Sequence, residues 1–172
     1  MTDREEKQFR FIYQGSGMRL KIHTVHGIIF DGQVEKVELP SKVGVLCVLP
    51  QHNPLTAMII PGIVRFVPVE KKGSEFLSDT EFLFEDEKIA IAVGEGFMYT
   101  DGQAVVMFVA SATITPKSDQ QVLQEMKADL EQQIKEIRAT GNQDEIERAY
   151  LNLQKLTADI QLSKIKDKKK HR

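Results

Sequence analysis

The chain changes its physical style once, between Thr113 and Asp119. Before that point the apolar residues recur at every second position in short runs, as in Leu20-Lys21-Ile22-His23 and Val34-Glu35-Lys36-Val37-Glu38-Leu39, with Gly and Pro between the runs. A period of two places alternate side chains on one face and marks a half-buried strand. Beyond that point the steps become three or four: Leu123, Met126, Leu130, Ile134 and Ile137, then, past Gly141, Ile146, Tyr150, Leu153, Leu156 or Thr157, and Ile160. Those steps draw one narrow apolar seam along each of two helices. Neither seam suffices to hold a helix alone in water, and the short Thr140-Gly141-Asn142 link lets the two pack antiparallel, packing on a partner being the alternative.

The β part divides at its turn residues. Val25-His26-Gly27 and Asp31-Gly32 bracket a short strand, so the first hairpins should be tight. Pro40 should close the strand from Val34 to Leu39, and Val45 to Leu49, apolar on both faces, should lie deep in the core with Cys47 buried and inert. Pro54 and Pro61-Gly62 frame Leu55 to Ile60, and Ile63 to Val67 resumes the alternation before Pro68. Two hairpins are expected next. One joins Ile89–Val93 to Phe97–Thr100 across Gly94-Glu95-Gly96, and the other joins the latter strand to Ala104–Ala110 across Asp101-Gly102. Between Glu70 and Lys88, Glu75-Phe76-Leu77 and Phe82-Leu83-Phe84 read either as an additional hairpin or as a loop with apolar anchors. Phe9 to Tyr13 alternates like an added edge strand, yet Gly15-Ser16-Gly17 reads as a linker, so an arm and an edge strand both stand. Many short strands with turns between them, and no long helix among them, give an antiparallel sandwich or flattened barrel.

Composition narrows the class. At 172 residues and 41% hydrophobic the chain can bury one moderate core. No apolar run approaches the ~20 residues that span a bilayer, and Met1 to Glu6 lacks the apolar stretch of a secretion signal, so the chain is expected in the cytoplasm. A net charge of −2 argues against nucleic acid as a partner. The basic end, Lys164 to Arg172, reads as a solvated helix terminus, with an anionic partner or membrane surface as the alternative.

The sequence holds no catalytic grouping. His23 and His26, three apart in an extended segment, point to opposite faces, while His52 and His171 lie elsewhere, so no metal site is expected. Gly94-Glu95-Gly96 lacks the Lys-Ser/Thr and helix of a phosphate loop. Glu85-Asp86-Glu87 lacks the spacing of a calcium loop, and no serine stands in a G-x-S-x-G elbow. What remains is surface for binding.

Leu46-Cys47-Val48-Leu49-Pro50-Gln51-His52-Asn53-Pro54-Leu55, read with Pro61-Gly62-Ile63-Val64-Arg65, resembles the epsilon subunit of F-type rotary ATP synthases. Met18 to Ile22, Phe30-Asp31-Gly32, Val34-Glu35, Leu39-Pro40, Gly44, Gly96-Phe97 and Val105 to Ala112 agree in order, and the helical hairpin falls where that family carries one. The resemblance runs from about Met18 to Ile165. It implies an α+β chain, a sandwich of about ten strands followed by an antiparallel two-helix hairpin. The division is then 1–17 extension, 18–112 sandwich, 113–118 linker, 119–165 hairpin and 166–172 basic tail.

The same resemblance implies a non-catalytic central-stalk subunit that binds the gamma subunit and the membrane c-ring and turns with them. It would be a monomer when isolated, peripheral to the cytoplasmic face of a bacterial membrane. Its helices, seamed by Leu123, Met126, Leu130, Ile134, Ile137, Ile146, Tyr150, Leu153 and Ile160 about a Gly141 hinge, would lie on the sandwich or rise toward the alpha/beta head to restrain hydrolysis. Ser41, Lys42, Val43, Gly44 and Val45, with His52 nearby, are the implied ring contact. The chain departs from the family there: Val45 stands where many members have Glu, Cys47 where Gly is usual, and Gln51 replaces the usual Gly between Pro and His. The stretch Gln120 to Glu125 lacks the Asp and Arg of the family's ATP-binding motif, and Arg148-Ala149 alone is family-like, so no cofactor is expected. The competing readings are a free-standing module that dimerises through its helices and an enzyme with a sandwich-borne metal.

Overall fold

The computed structural model describes residues 17–69, 82–116, 120–140 and 143–170. Its strands are β1 (Met18–Thr24), β2 (Gly27–Ser41), β3 (Gly44–Val48), β4 (Leu55–Ile59) and β5 (Gly62–Pro68). There follow β6 (Leu83–Glu85), β7 (Lys88–Val93), β8 (Gly96–Thr100), β9 (Ala104–Val109) and β10 (Ala112–Thr113), then two helices, α1 (Gln120–Thr140) and α2 (Gln143–Lys170). The ten strands run in hydrogen-bonded order β1-β9-β8-β4-β2-β5-β7-β10, with β3 on β2, β6 on β7 and β1 returning to β2.

The fifteen residues of β2 join the two layers. Its first half pairs with β1 (Met18 opposite Val34), while its second half pairs with β3 (Val37 opposite Val48) and β5 (Val37 opposite Phe66). Alternation along β2, shifted by one residue at the irregularity between Val34 and Lys36, buries Phe30 and Val34 before it and Val37 and Leu39 after it. Between the layers Phe66 meets Phe30 at 4.5 Å and 51°, and Phe82 meets Phe30 edge-on at 6.0 Å. Such tilted pairs add to the ~2–3 kcal/mol that each fully buried large side chain contributes.

Several expectations change. Asp31-Gly32 is no turn, because β2 runs straight through it; the turn is Val25-His26, where Gly27 takes φ 128°. Pro40 does not end β2, which continues to Ser41. A proline fits there because its carbonyl still accepts a bond, from the Ile60 amide at 3.2 Å. The strand Val45 to Leu49 is an edge, paired with β2 alone among the described residues, so Val45 and the Cys47 thiol are exposed rather than buried. An apolar run cannot tell an edge from a centre.

The expected Ile89–Val93 with Phe97–Thr100 hairpin is also absent. β7 pairs with β5, β6 and β10, and β8 pairs with β4 and β9, so Gly94-Glu95 carries the chain between layers instead. The crossing is tight. Gly94 N donates to Ser111 O at 2.9 Å, Ala110 N donates to Glu95 O at 2.8 Å, and a Cβ on Gly96 would meet Phe108 O at 2.0 Å. The Asp101-Gly102 hairpin forms as expected. Leu83–Glu85 pairs with β7 about Asp86 at φ 57°, making part of the 70–88 stretch a hairpin, while Glu75-Phe76-Leu77 and Phe9 to Tyr13 lie outside the described residues. Among the described pairings β1–β9 alone is parallel. α2 continues past Ile165 to Lys170, so most of the basic tail is helical.

Asp31 stands outside on β2, bonded by Arg19 Nε and Nη2 at 2.7 and 3.0 Å, with Lys21 Nζ at 3.4 Å. The Arg19 hydrogen bonds, with both cations adding attraction, hold its carboxyl below the ordinary range against a smaller effect of burial. A carboxyl lowered in the folded state stabilises above its unfolded pKa and loses that contribution as pH falls through the folded one. The wild-type chain is therefore expected to lose melting temperature below about pH 4 more steeply than Asp31→Asn. Equal slopes by thermal melting at pH 2.5 to 5 would rule the pair out as a source.

Candidate functional site

Three surfaces stand out, and all are built for contact. On the outer face of β5, β6 and β7, Ile63, Leu83, Ala90 and Ala92 form an apolar patch closed by Ala158, Leu162 and Ile165 of α2. Alanines on both sides let the helix backbone approach the sheet closely. Lys155 Nζ donates to Thr113 Oγ1 at 2.9 Å beside Asp159 Oδ1 at 2.5 Å, and Lys166 Nζ donates to the Pro116 carbonyl at 3.1 Å. Two lysines of α2 thus fasten the segment that leads from β10 toward α1.

The two helices pack on each other. Leu123, Ile134, Ala149 and Ile160 are buried, and Leu130, Ile137, Ile146, Tyr150 and Leu153 are half-buried. Met126, expected in the seam, is instead exposed, with Val122 one turn before it. Arg138 bonds to the Tyr150 hydroxyl and lies over its ring at 5.3 Å. Thr157 bonds within its own helix, to the Leu153 carbonyl at 2.8 Å. Gly141 lies outside the described residues. The second seam of α2, Ala158, Leu162 and Ile165, was missed although its four- and three-residue steps are present in the sequence. Alanine and the lysines around it weaken the signal.

The β2–β3 tip forms the second surface. Ser41 is buried, its Oγ donating to Gly44 O at 2.7 Å and accepting from Val43 N at 3.3 Å, which orders the turn and leaves Val43 97% and Val45 76% exposed. His52 is not brought to this tip. It lies past the far end of β3, its Nδ1 on Asn53 O at 2.8 Å, where Gln51 N donates to Gly102 O at 2.8 Å. Beside β3 an open cleft of about 480 Å³ is lined by Glu38, Arg65, Glu85 and Lys88 among others. Lys36 and Lys88 reach Glu38 at 2.6 and 3.1 Å, and Arg65 reaches Glu85 at 2.8 Å. Burial pushes the Glu38 carboxyl up, yet the two lysines outweigh it and hold it below the ordinary range.

The third surface is the outer face of β4, β8, β9 and β1. Register places Met58 opposite Phe97, Phe97 opposite Phe108, and Phe108 opposite His23. Phe97 stacks on Phe108 at 5.2 Å and His23 on Phe108 at 4.8 Å, with Tyr99 in the neighbouring row. Met58, Phe97, Tyr99 and Phe108 are each 44% to 57% exposed. Among the described residues no three His, Cys, Asp or Glu side chains are grouped to hold a metal, and no helix is long and apolar enough to cross a membrane.

Residues 17–115 match the family described as ATP synthase, Delta/Epsilon chain, beta-sandwich domain. The chain belongs to the ATP synthase delta/epsilon family. This delta/epsilon chain is similar to the ATP synthase epsilon chain of Sulfurovum sp. (strain NBC37-1), 29% identical over 102 residues that make up 59% of the chain and 68% of the relative. It is 23% identical to that of Herpetosiphon aurantiacus over 149 residues, 87% of the chain and 96% of the relative. Its fold is similar to a chain in the Euglena gracilis mitochondrial ATP synthase structure of OSCP, F1 and c-ring, with a TM-score of 0.60 and 14% identity over 83% of this chain and 79% of that one. The family match covers the sandwich, and the Herpetosiphon alignment reaches into the helices as well.

Proposed function

We propose that this delta/epsilon chain is the small central-stalk subunit of a proton- or sodium-translocating F-type ATP synthase, coupling the catalytic head to the membrane ring without doing chemistry itself. The observation that carries the reading is the aromatic row Met58, Phe97, Phe108 and His23, a contiguous apolar strip on the sheet face away from the hairpin. Such a strip marks a surface that a partner covers. In this reading the gamma subunit lies on that row, the Ser41–Val45 tip meets the c-ring, and the complex keeps the chain at the cytoplasmic face of the membrane. The relatives' names and the c-ring assembly that holds the Euglena neighbour support it.

The hairpin is the regulatory part. In its folded posture α2 spends Ala158 and Leu162 on the sandwich, and released it would offer that face and the basic end of α2 to the alpha/beta head. An arm with lysines at its end should restrain hydrolysis less as salt screens them.

ATP hydrolysis by the matching head, stripped of its own small stalk subunit, tests the reading by titration with the full chain and with a chain ending at Thr115. Both are expected to bind, and only the full chain to slow hydrolysis. Binding by both without slowing would leave coupling alone, and binding by neither would remove the stalk reading.

A further inference from the structure

We infer that the last strand of the sandwich, β10, is held on the sheet by α2 and comes away with it, so that undocking the hairpin also frees residues 112–116 as a longer tether. Its use rests on the hairpin being the regulatory part, but every step of the release lies within this chain.

β10 is two residues long, with Ala112 opposite Val93 and Thr113 opposite Ala92 at the edge of β7. Strands usually run about 3–10 residues, and a ladder this short holds little by itself. Just before it, the crossing fixes Ser111, whose carbonyl accepts the Gly94 amide at 2.9 Å. Beyond Ser111 the main core takes only Ala112 and the half-buried Ile114.

α2 adds two polar ties. Lys155 Nζ, neutralised by Asp159 one turn along its own helix at 2.5 Å, donates to Thr113 Oγ1 at 2.9 Å. Lys166 Nζ donates at 3.1 Å to the carbonyl of Pro116, which is itself buried. The two attachments meet at Ala92. Its backbone lies beside Thr113 in the ladder, and its side chain belongs to the apolar patch that Ala158 and Leu162 close. Lifting α2 therefore removes both lysines at once from a strand of two residues. Once extended, 112–116 adds about 16 Å of reach at about 3.3 Å per residue, and the β7 edge at Ala92 and Val93 is bared.

Hydrogen exchange on the isolated full chain tests this, because local opening sets the rate at each amide. In the double variant Lys155→Ala, Lys166→Ala the apolar patch is intact. The amides of 112–115 are expected to exchange roughly tenfold faster than in the wild type, while Ala158 to Ile165 keep their protection. In Leu162→Asp both stretches should speed up together. Unchanged exchange of 112–115 in the double variant would overturn the inference, since the core contacts of Ala112 and Ile114 would then suffice. So would faster exchange of α2 in Leu162→Asp with 112–115 still protected, or 112–115 already unprotected in the wild type. No other subunit takes part, so failure here leaves the stalk reading standing, and failure of that reading in the hydrolysis titration leaves the release of β10 standing.

Discussion

Exchanging Leu162 for Asp is expected to lift the helical hairpin off the sandwich and leave the sandwich folded. Leu162 is fully buried against Ile63, Leu83, Ala90 and Ala92. Losing it forfeits about 1.5–3 kcal/mol of transfer energy. Keeping the carboxylate docked would cost several kcal/mol more, since nothing in that apolar patch pairs with it. The remaining ties, Lys155 to Thr113 and Lys166 to the Pro116 carbonyl, supply only about 1 kcal/mol each. Undocking is therefore favoured. The seam between α1 and α2 uses other residues, Leu123, Ile134, Ala149 and Ile160, and has no reason to open with it. Hydrogen exchange should rise along α2 from Ala158 to Ile165, with the sandwich melting unchanged to within a few degrees. Unaltered exchange in α2, or loss of the sandwich itself, would sink the account.

The largest loss of stability is expected from Phe66→Ala. Phe66 is 1% exposed, lies in a central strand between β2 and β7, and holds the Phe30 ring at 4.5 Å. Truncating such a phenylalanine costs about 3–5 kcal/mol, most of it as a cavity that the two layers cannot close. Against a typical domain stability of about 5–15 kcal/mol that is a large share. Taking roughly 4–8 °C per kcal/mol for a domain near this size, the sandwich should melt at least ~12 °C lower. A fall below about 5 °C by circular dichroism would mean that the core repacks around the missing ring.

Much of this architecture is legible in the residues because the period of the apolar pattern is a local property. The alternation along β1, β2, β5 and β9 and the three-to-four steps of the helices state which side of each element faces inward. Pairing is not local. Nothing in Ile89 to Val93 says that its neighbours are β5, β6 and β10 rather than β8, since the close approach that makes Gly96 necessary involves Phe108 O, twelve residues on. The same limit hid the edge position of β3. A core strand and an edge strand carry the same valines, so the pattern places Cys47 inside although its thiol is in solvent. Of the candidate contacts, the turn residues at Ser41 to Val45 were recognisable, whereas the aromatic row is scattered over β1, β4, β8 and β9 and exists only once those strands lie side by side. The helical seams were half legible. Leucine and isoleucine draw a clear stripe, but the alanines of the α2 docking face are common enough everywhere to draw none.

The length of β2 has a mechanical meaning. Fifteen residues at about 3.3 Å each give a contour near 50 Å, broken in register between Val34 and Lys36, along which a single backbone joins the Ser41–Val45 tip to the first turn at Val25-His26. A pull along the strand at the tip is therefore carried as tension along covalent bonds and shared as shear among the ladders to β1, β3 and β5. Hydrogen bonds loaded in shear yield together, not one after another. The sandwich is the stiff part of the molecule, and its compliance lies in the helices laid on its outside.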